Sequence, residues 1–244
     1  MTFDPRTLTF RNPLPADAVD RCLRAMAKPW DSDRVATVMD VGCGNGEVLA
    51  RLREMRLAAG AADCAVIGLD PDTEAIARAE KRHEQIQSPA QGKLTPPLWL
   101  SAVWPNGLEE LTKWDGALCL GSRHAFGTDA GAADRMVAQL AEKLRPSGTL
   151  FLADGYWRRT PEADYLAATG LDASEMEALE AWDQRFAQHE LRLVHRVLVS
   201  PEEFAAYERP FWELGGEHWT SWRAAFERWG HDTMGFAGWV LERA

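Results

Sequence analysis

Val35-Ala36-Thr37-Val38-Met39-Asp40-Val41-Gly42-Cys43-Gly44-Asn45-Gly46-Glu47-Val48-Leu49 decides how the rest of the chain is read. Its opening, Val35 to Val41, is short, β-branched and almost uncharged, the pattern of a strand buried on both faces of a parallel sheet. Val48, Leu49, Leu52 and Met55 recur at helical spacing, which predicts a helix from about Gly46. Between the two lie Gly42, Gly44 and Gly46. Glycine lets a backbone turn sharply and approach a ligand with no Cβ in the way.

The dinucleotide fingerprint G-x-G-x-x-G would need a third glycine at position 47, where this chain has Glu47. The loop also carries Asp40 before it and has no lysine or arginine to hold a pyrophosphate, although a helix N-terminus favours anions. A nucleoside ligand without phosphates suits it better. Asp40 through Gly46 match the first motif of class I S-adenosylmethionine-dependent methyltransferases, hydrophobic-x-D-x-G-x-G-x-G. The chain resembles that family at these residues, and the sulfonium and ammonium of S-adenosylmethionine could use the acids.

With 244 residues, 46% of them hydrophobic, the chain can bury one large core, and one sheet with a cap is expected over 1–244. The first residues contain no apolar leader core, and no run approaches the ~20 apolar residues needed to span a bilayer. A soluble, cytoplasmic protein is therefore expected. Cys22, Cys43, Cys64 and Cys119 have neither C-x-x-C spacing nor nearby histidines, so four reduced thiols and no metal site are expected. The net charge of −10, with 27 basic residues dispersed, argues against nucleic acid as a partner. The sequence leaves the oligomeric state open.

Before the first strand, residues 1–34 read as a helical segment with Val19, Leu23 and Met26 on one face, ended by Lys28-Pro29-Trp30. Asn12-Pro13-Leu14 loosely resembles an N-P-L stretch that packs beside the cofactor cleft in related methyltransferases. Ala65 to Asp70 reads as a second strand ending in an acid, with Pro71 and a helix after it. An acid there is placed to accept hydrogen bonds from ribose hydroxyls, and it can also cap the helix. Gln91 to Pro97 reads as a loop, Leu98 to Trp104 as a third strand and Trp114 to Leu120 as a fourth. Gly121-Ser122-Arg123-His124-Ala125-Phe126-Gly127 follows at a strand end, where α/β sheets place chemistry, and resembles the G-x-x-H-A-x-G loop of small-molecule methyltransferases. Arg145-Pro146-Ser147-Gly148 is similar to the family's L-R-P-G-G turn into strand five, Thr149 to Ala153.

From Asp154 the chain is expected to leave the sheet. Ser174 and Glu177 suggest a capping box ahead of a stripe of Met176, Leu179, Trp182 and Phe186. Leu191 to Val199 and Met234 to Leu241 read as strands six and seven. Residues 158–189 and 200–232 are expected to be helical cap insertions. In the second, Ser200-Pro201-Glu202-Glu203 is a capped helix start. Phe204, Tyr207 and Phe211 share a face there, Gly215-Gly216 breaks the helix, and Trp219, Trp222, Phe226 and Trp229 form a second stripe. The resemblance implies a doubly wound, Rossmann-like α/β fold of seven strands in the order 3-2-1-4-5-7-6, with strand seven antiparallel.

The resemblance further implies cofactor contacts at Asp40, Gly42, Cys43, Gly44, Asn45, Gly46, Asp70, Pro71, Ala102 and Gly121. Many relatives read adenine with an acid after strand three; this chain has Ser101, Ala102 and Trp104 there, which leaves backbone and packing. Phe126, Tyr156, Trp157, Tyr207, Glu208 and Trp212 are the acceptor-pocket candidates, under late helices whose aromatic walls suit an apolar substrate. His124 is the candidate base for an oxygen or nitrogen acceptor. Two readings from other classes stand beside methyl transfer to a small molecule. One is a noncatalytic cofactor- or partner-binding protein on the same fold. The other is a nicotinamide oxidoreductase, which would share Asp70 but lacks its third glycine and an evident Tyr-x-x-x-Lys constellation.

Overall fold

The computed structural model describes residues 3–5, 8–86, 94–106, 108 and 113–244. The loop expected from Gln91 to Pro97 lies outside the described residues through position 93. Seven strands form one sheet: β1 (Ala36–Val41), β2 (Cys64–Leu69), β3 (Leu98–Leu100), β4 (Trp114–Leu120), β5 (Leu144–Trp157), β6 (Leu191–Leu198) and β7 (Met234–Arg243). Their order is 3-2-1-4-5-7-6. β1 pairs in parallel with β2 and β4, whereas β7 runs antiparallel to β5 and β6. The expected topology is the observed one.

Helices cover both faces because the central strands bury both. On one side α1 (Ala16–Ala27) inserts Val19, Cys22, Leu23 and Met26, joined by Val48, Leu49 and Leu52 of α2 (Glu47–Ala58). The same core takes Tyr165 of α5 (Ala163–Thr169) and Phe204 of α7 (Pro201–Trp212), with Phe226 at the end of α8 (Gly216–Ala225). On the other side α4 (Ala132–Lys143) supplies Met136, Val137 and Leu140, and α6 (Leu179–Gln188) supplies Trp182 and Phe186. Trp182 and Phe186 lie against Trp239 of β7, with ring centroids 4.9 and 5.7 Å away. Between β2 and β3, α3 (Thr73–Glu84) is capped by Asp72, whose side chain accepts from the Glu74 and Ala75 N–H groups. All four cysteines are buried and unbridged. No described helix is long and apolar enough to cross a membrane.

Three local expectations are corrected. β3 stops at Leu100, so Ser101 to Trp104 are loop, free to line the space at the strand end. β5 continues to Trp157, because Asp154 to Trp157 pair with Met234 to Ala237. The capping box ahead of α6 is Asp172 with Glu175, around a short 3-10 turn, while α6 itself begins after Ala178 without a side-chain cap. The helix break read at Gly215 and Gly216 is present: both take positive φ, after α7 ends at Trp212 and where α8 starts at Gly216. The capped start at Ser200 is present as read, with the Ser200 hydroxyl accepting from the Glu203 N–H at 3.2 Å and the Glu203 carboxylate from the Ser200 N–H at 2.8 Å.

Candidate active site

At the C-terminal ends of β1, β2 and β4 the connecting loops enclose a cavity of about 770 Å³. Its floor is the glycine loop. The Gly42 and Cys43 N–H groups both donate to the Leu69 carbonyl, at 2.8 and 3.0 Å, which holds the turn against β2. Gly42 has φ +76°, and a Cβ there would come within 2.1 Å of the Ser122 hydroxyl. A side chain at Gly42 is thus excluded by both backbone and neighbour. Gly44 has φ +52°, but a Cβ there would meet no protein atom within 4 Å, so what its bareness leaves open is cavity.

Two acids stand over this floor. Asp70, just past β2, accepts from the Gly44 N–H at 2.9 Å and from the Asp72 N–H at 2.9 Å. A carboxylate has about four acceptor positions, so it can still take ligand hydroxyls. Asp40 lies deeper, at the end of β1. Burial, with the Asp70 charge behind it, pushes its carboxyl up to about 7, as expected for an acid taken out of water beside another. Arg11 also lines the cavity, but its guanidinium lies 3.7 Å from the Asp72 carboxylate.

One wall comes from a segment before α1. Thr9, Phe10, Arg11 and Asn12 line the cavity. The Asn45 side-chain amide tethers them by donating to the Leu8 and Thr9 carbonyls at 3.2 and 3.3 Å. Across from this strap, Ala102, Val103 and Trp104 line the opposite side. Trp104 is held by its indole N–H, which donates to the Gln139 side chain at 2.6 Å, and by the Phe126 ring 5.2 Å away.

The loop after β4 closes the far end. Gly121, Ser122, His124 and Gly127 line the cavity, and Gly121, His124 and Gly127 also line a second one of about 520 Å³. That neighbour is walled by Arg123, Asp129, Asp154, Asp172, Glu175 and Glu177, among others. Asp154 is nine-tenths buried, and burial raises its carboxyl despite the opposing charge of Arg123. Its Oδ2 lies 3.4 Å from the Arg123 Nε without forming a hydrogen bond.

The structure thus brings Asp40, Gly42, Cys43, Gly44, Asn45, Asp70, Pro71, Ala102, Gly121 and His124 to one cavity. Gly46 stands just behind it, in the left-handed conformation at the start of α2. The acceptor-pocket candidates do not assemble. Phe126 supports Trp104 from behind. Tyr156 and Trp157 alternate along β5, one into each buried layer, and the Trp157 indole donates to the Ala173 carbonyl at 2.8 Å. Tyr207, Glu208 and Trp212 lie on α7, which packs behind the strap: Phe211 meets Phe3 at 5.2 Å. Trp212 lines a separate hollow between α7 and α8, with Arg223 and Phe226. Thr9 to Asn12 line the cavity, and no residue of α7 does. The reading from sequence missed Asp154, whose signal was an acid inside the apolar run 150–157, and the strap residues Thr9 to Arg11, which carry no motif.

Residues 39–150 match a family model described as a methyltransferase domain. The uncharacterized protein YjhP of Escherichia coli (strain K12) is 25% identical over 177 residues, which span 72% of this chain and 65% of that protein, a little under two thirds of its length. Among solved structures, a SAM-dependent methyltransferase from Geobacter sulfurreducens in complex with S-adenosyl-L-homocysteine has a TM-score of 0.76 at 19% identity, over 98% of this chain and 96% of that one. Another from Thiobacillus denitrificans, also in complex with S-adenosyl-L-homocysteine, has a TM-score of 0.73 at 19% identity, with the same shares covered. At such identities the structural likeness is one of fold. Residues 39–150 thus match a methyltransferase-domain model, and the chain as a whole shares its strand order and fold with these solved structures.

Proposed function

We propose that this chain transfers a methyl group from S-adenosylmethionine to a nitrogen or oxygen of a small molecule. The observation that carries the reading is the pairing of an open cradle at Gly44 with two acids, Asp40 and Asp70, in a cavity whose guanidinium, Arg11, is already matched by Asp72. Among the described residues lining the cavity, a pyrophosphate would meet acids and no unmatched cation. S-adenosylmethionine has no phosphate, and its charges suit the site.

Each part of the cofactor finds a suitable group. Asp70, with acceptor capacity left beyond its two backbone N–H partners, would take the ribose hydroxyls. Gly44 would admit the methionine portion against bare backbone, with Asp40 near its cationic end and Gly42, Cys43, Asn45 and Gly121 shaping the walls. Pro71, Ala102 and the Trp104 ring would flank the adenine. The bound cofactor would supply an electrophilic methyl carbon; the protein's part is alignment and exclusion of water.

His124, exposed at the boundary of the two cavities, is the candidate to receive the acceptor's proton. The test is turnover, read as S-adenosylhomocysteine release, across pH for the wild type and His124→Gln. Loss of turnover at low pH with cofactor affinity unchanged supports the base role. An unchanged pH profile assigns the rate to alignment alone. If no cofactor binds, the functional reading itself fails.

A further inference from the structure

We infer that the 520 Å³ cavity beside the cofactor cavity is the acceptor site and that it takes an amine, held as its ammonium form by Asp154. The inference rests on the proposed methyl transfer and deepens it. Position comes first: the two cavities share Gly121, His124 and Gly127, which puts the second directly against the first.

Charge then selects the class of acceptor. Among the acids of the wall, Asp129 pairs with Arg135 at 2.6 Å and Glu177 with Arg185 at 2.6 Å. That leaves Arg123 facing Asp154, Asp172 and Glu175, a surplus of negative charge. A carboxylate or phosphate acceptor would be repelled. An ammonium would relieve the surplus. Asp172 and Glu175 cap each other's turn, and Asp154 has the Arg123 guanidinium 3.4 Å away, so what is unmet at Asp154 is a hydrogen bond. Asp154 lines the cavity, and its buried Oδ2 has no hydrogen-bond donor. Leaving a buried acceptor without a donor is costly, and an N–H from a ligand meets that need. This site lies within a polar wall, whereas the aromatic side chains expected around the acceptor are turned into the two cores or onto α7.

The chemistry balances with groups already present. The ammonium gives up a proton at His124, which frees the nitrogen lone pair. That pair forms the new N–C bond to the methyl carbon as the C–S bond breaks, its electron pair staying on the sulfur. The thioether product is neutral at sulfur, and the methylated nitrogen leaves the step as a cationic ammonium with Asp154 as its counter-ion, while the proton given up beforehand stays on His124.

The test uses the full chain saturated with S-adenosylhomocysteine, so that amine binding is read without turnover. Ethanolamine, putrescine and benzylamine are titrated calorimetrically beside the matched alcohols ethylene glycol, 1,4-butanediol and benzyl alcohol, and beside benzoate. The expected result is saturable binding of at least one amine, tenfold or more tighter than its alcohol, with no benzoate binding. Asp154→Asn should weaken that amine tenfold or more while S-adenosylhomocysteine affinity stays within twofold, which also certifies folding. Glu175→Gln, whose carboxylate already accepts from the Asp172 N–H, should weaken it by only two- to threefold. Alcohols or benzoate binding as tightly as amines, no amine binding at all, or an Asp154→Asn variant with undiminished amine affinity would each overturn the inference. Failure of S-adenosylhomocysteine itself to bind would instead overturn the proposed function.

Discussion

The Oδ2 of Asp70 accepts a hydrogen bond from the Gly44 N–H at 2.9 Å, joining the end of β2 to the centre of the glycine loop on β1. One acid thus shapes the cradle and borders the space the cradle opens. Because Gly42 and Gly44 are bare for different reasons, they can be told apart by substitution. Gly44→Ala puts a methyl into the cavity and meets no protein atom. It should cost about 1–2 kcal/mol of stability, the penalty for an L-residue in the left-handed region, yet abolish cofactor binding. Gly42→Ala collides with Ser122 and should unfold the loop, with a larger fall in melting temperature. Equal loss of stability in the two variants would contradict the distinction.

Asp40 gives the site a pH dependence of known sign. Its carboxyl is pushed up to about 7 by burial and by Asp70, against roughly 3.9 in an unfolded chain. Between those values the unfolded chain is ionised while the native residue keeps its proton, so stability falls as pH rises from about 4 to 7. Above about 7 the penalty is complete. Asp40→Asn should remove it, raising stability at pH 8 by on the order of 2–4 kcal/mol. A cationic ligand group favours the ionised form, so cofactor binding at pH 6.5 should release a proton. Calorimetric titration in two buffers of different ionisation enthalpy measures this, and identical apparent enthalpies would count against it.

Glu208 is a second acid pushed up to about 7 by burial, with the Trp222 indole N–H donating to it at 2.6 Å. It lies on α7, away from the cofactor cavity. Its sign is the same: the native state loses stability as pH rises through the window from about 4.3 to 7. Glu208→Gln should raise the melting temperature at pH 8 and leave it nearly unchanged at pH 4, without altering cofactor affinity at either. A change in affinity would mean that α7 reaches the cofactor after all.

Trp212 offers a complementary check on where the late helices act. Its ring packs 5.5 Å from Phe226 in the hollow between α7 and α8. Trp212→Ala should cost roughly 1–3 kcal/mol of stability while the affinity for S-adenosylhomocysteine stays within twofold. Loss of cofactor affinity in proportion to stability would show that the α7 and α8 pair buttresses the cavity through the strap.

Sequence and structure agree where the determining interactions are local. β1, the glycine loop and α2 follow one another without a gap, so apolar run, glycines and helical period could be read as a unit. Ser200 to Glu203 likewise form a self-contained cap. The sheet order came from family resemblance, since no pattern within a strand says which strand lies beside it. The end of β5 was not legible in the sequence: an apolar run does not mark where pairing ends, and it is β7 that keeps Asp154 to Trp157 in the sheet. With Tyr156 and Trp157 buried in that extension, the second cavity is walled by residues from 121 to 177 that only tertiary folding brings together.

Calorimetric titration of the purified chain with S-adenosylhomocysteine, S-adenosylmethionine, NAD and NADP tests the central claim most directly, with Asp70→Ala as the paired variant. Saturable binding of the first two is predicted, with neither dinucleotide binding. At a hundredfold excess over Kd the bound form should gain about 2.7 kcal/mol and melt at a correspondingly higher temperature. Asp70→Ala should weaken binding, because ribose hydroxyls lose bonds to a charged acceptor worth about 1.5–3 kcal/mol each. Saturable NAD or NADP binding without a response to either sulfur compound would contradict the account.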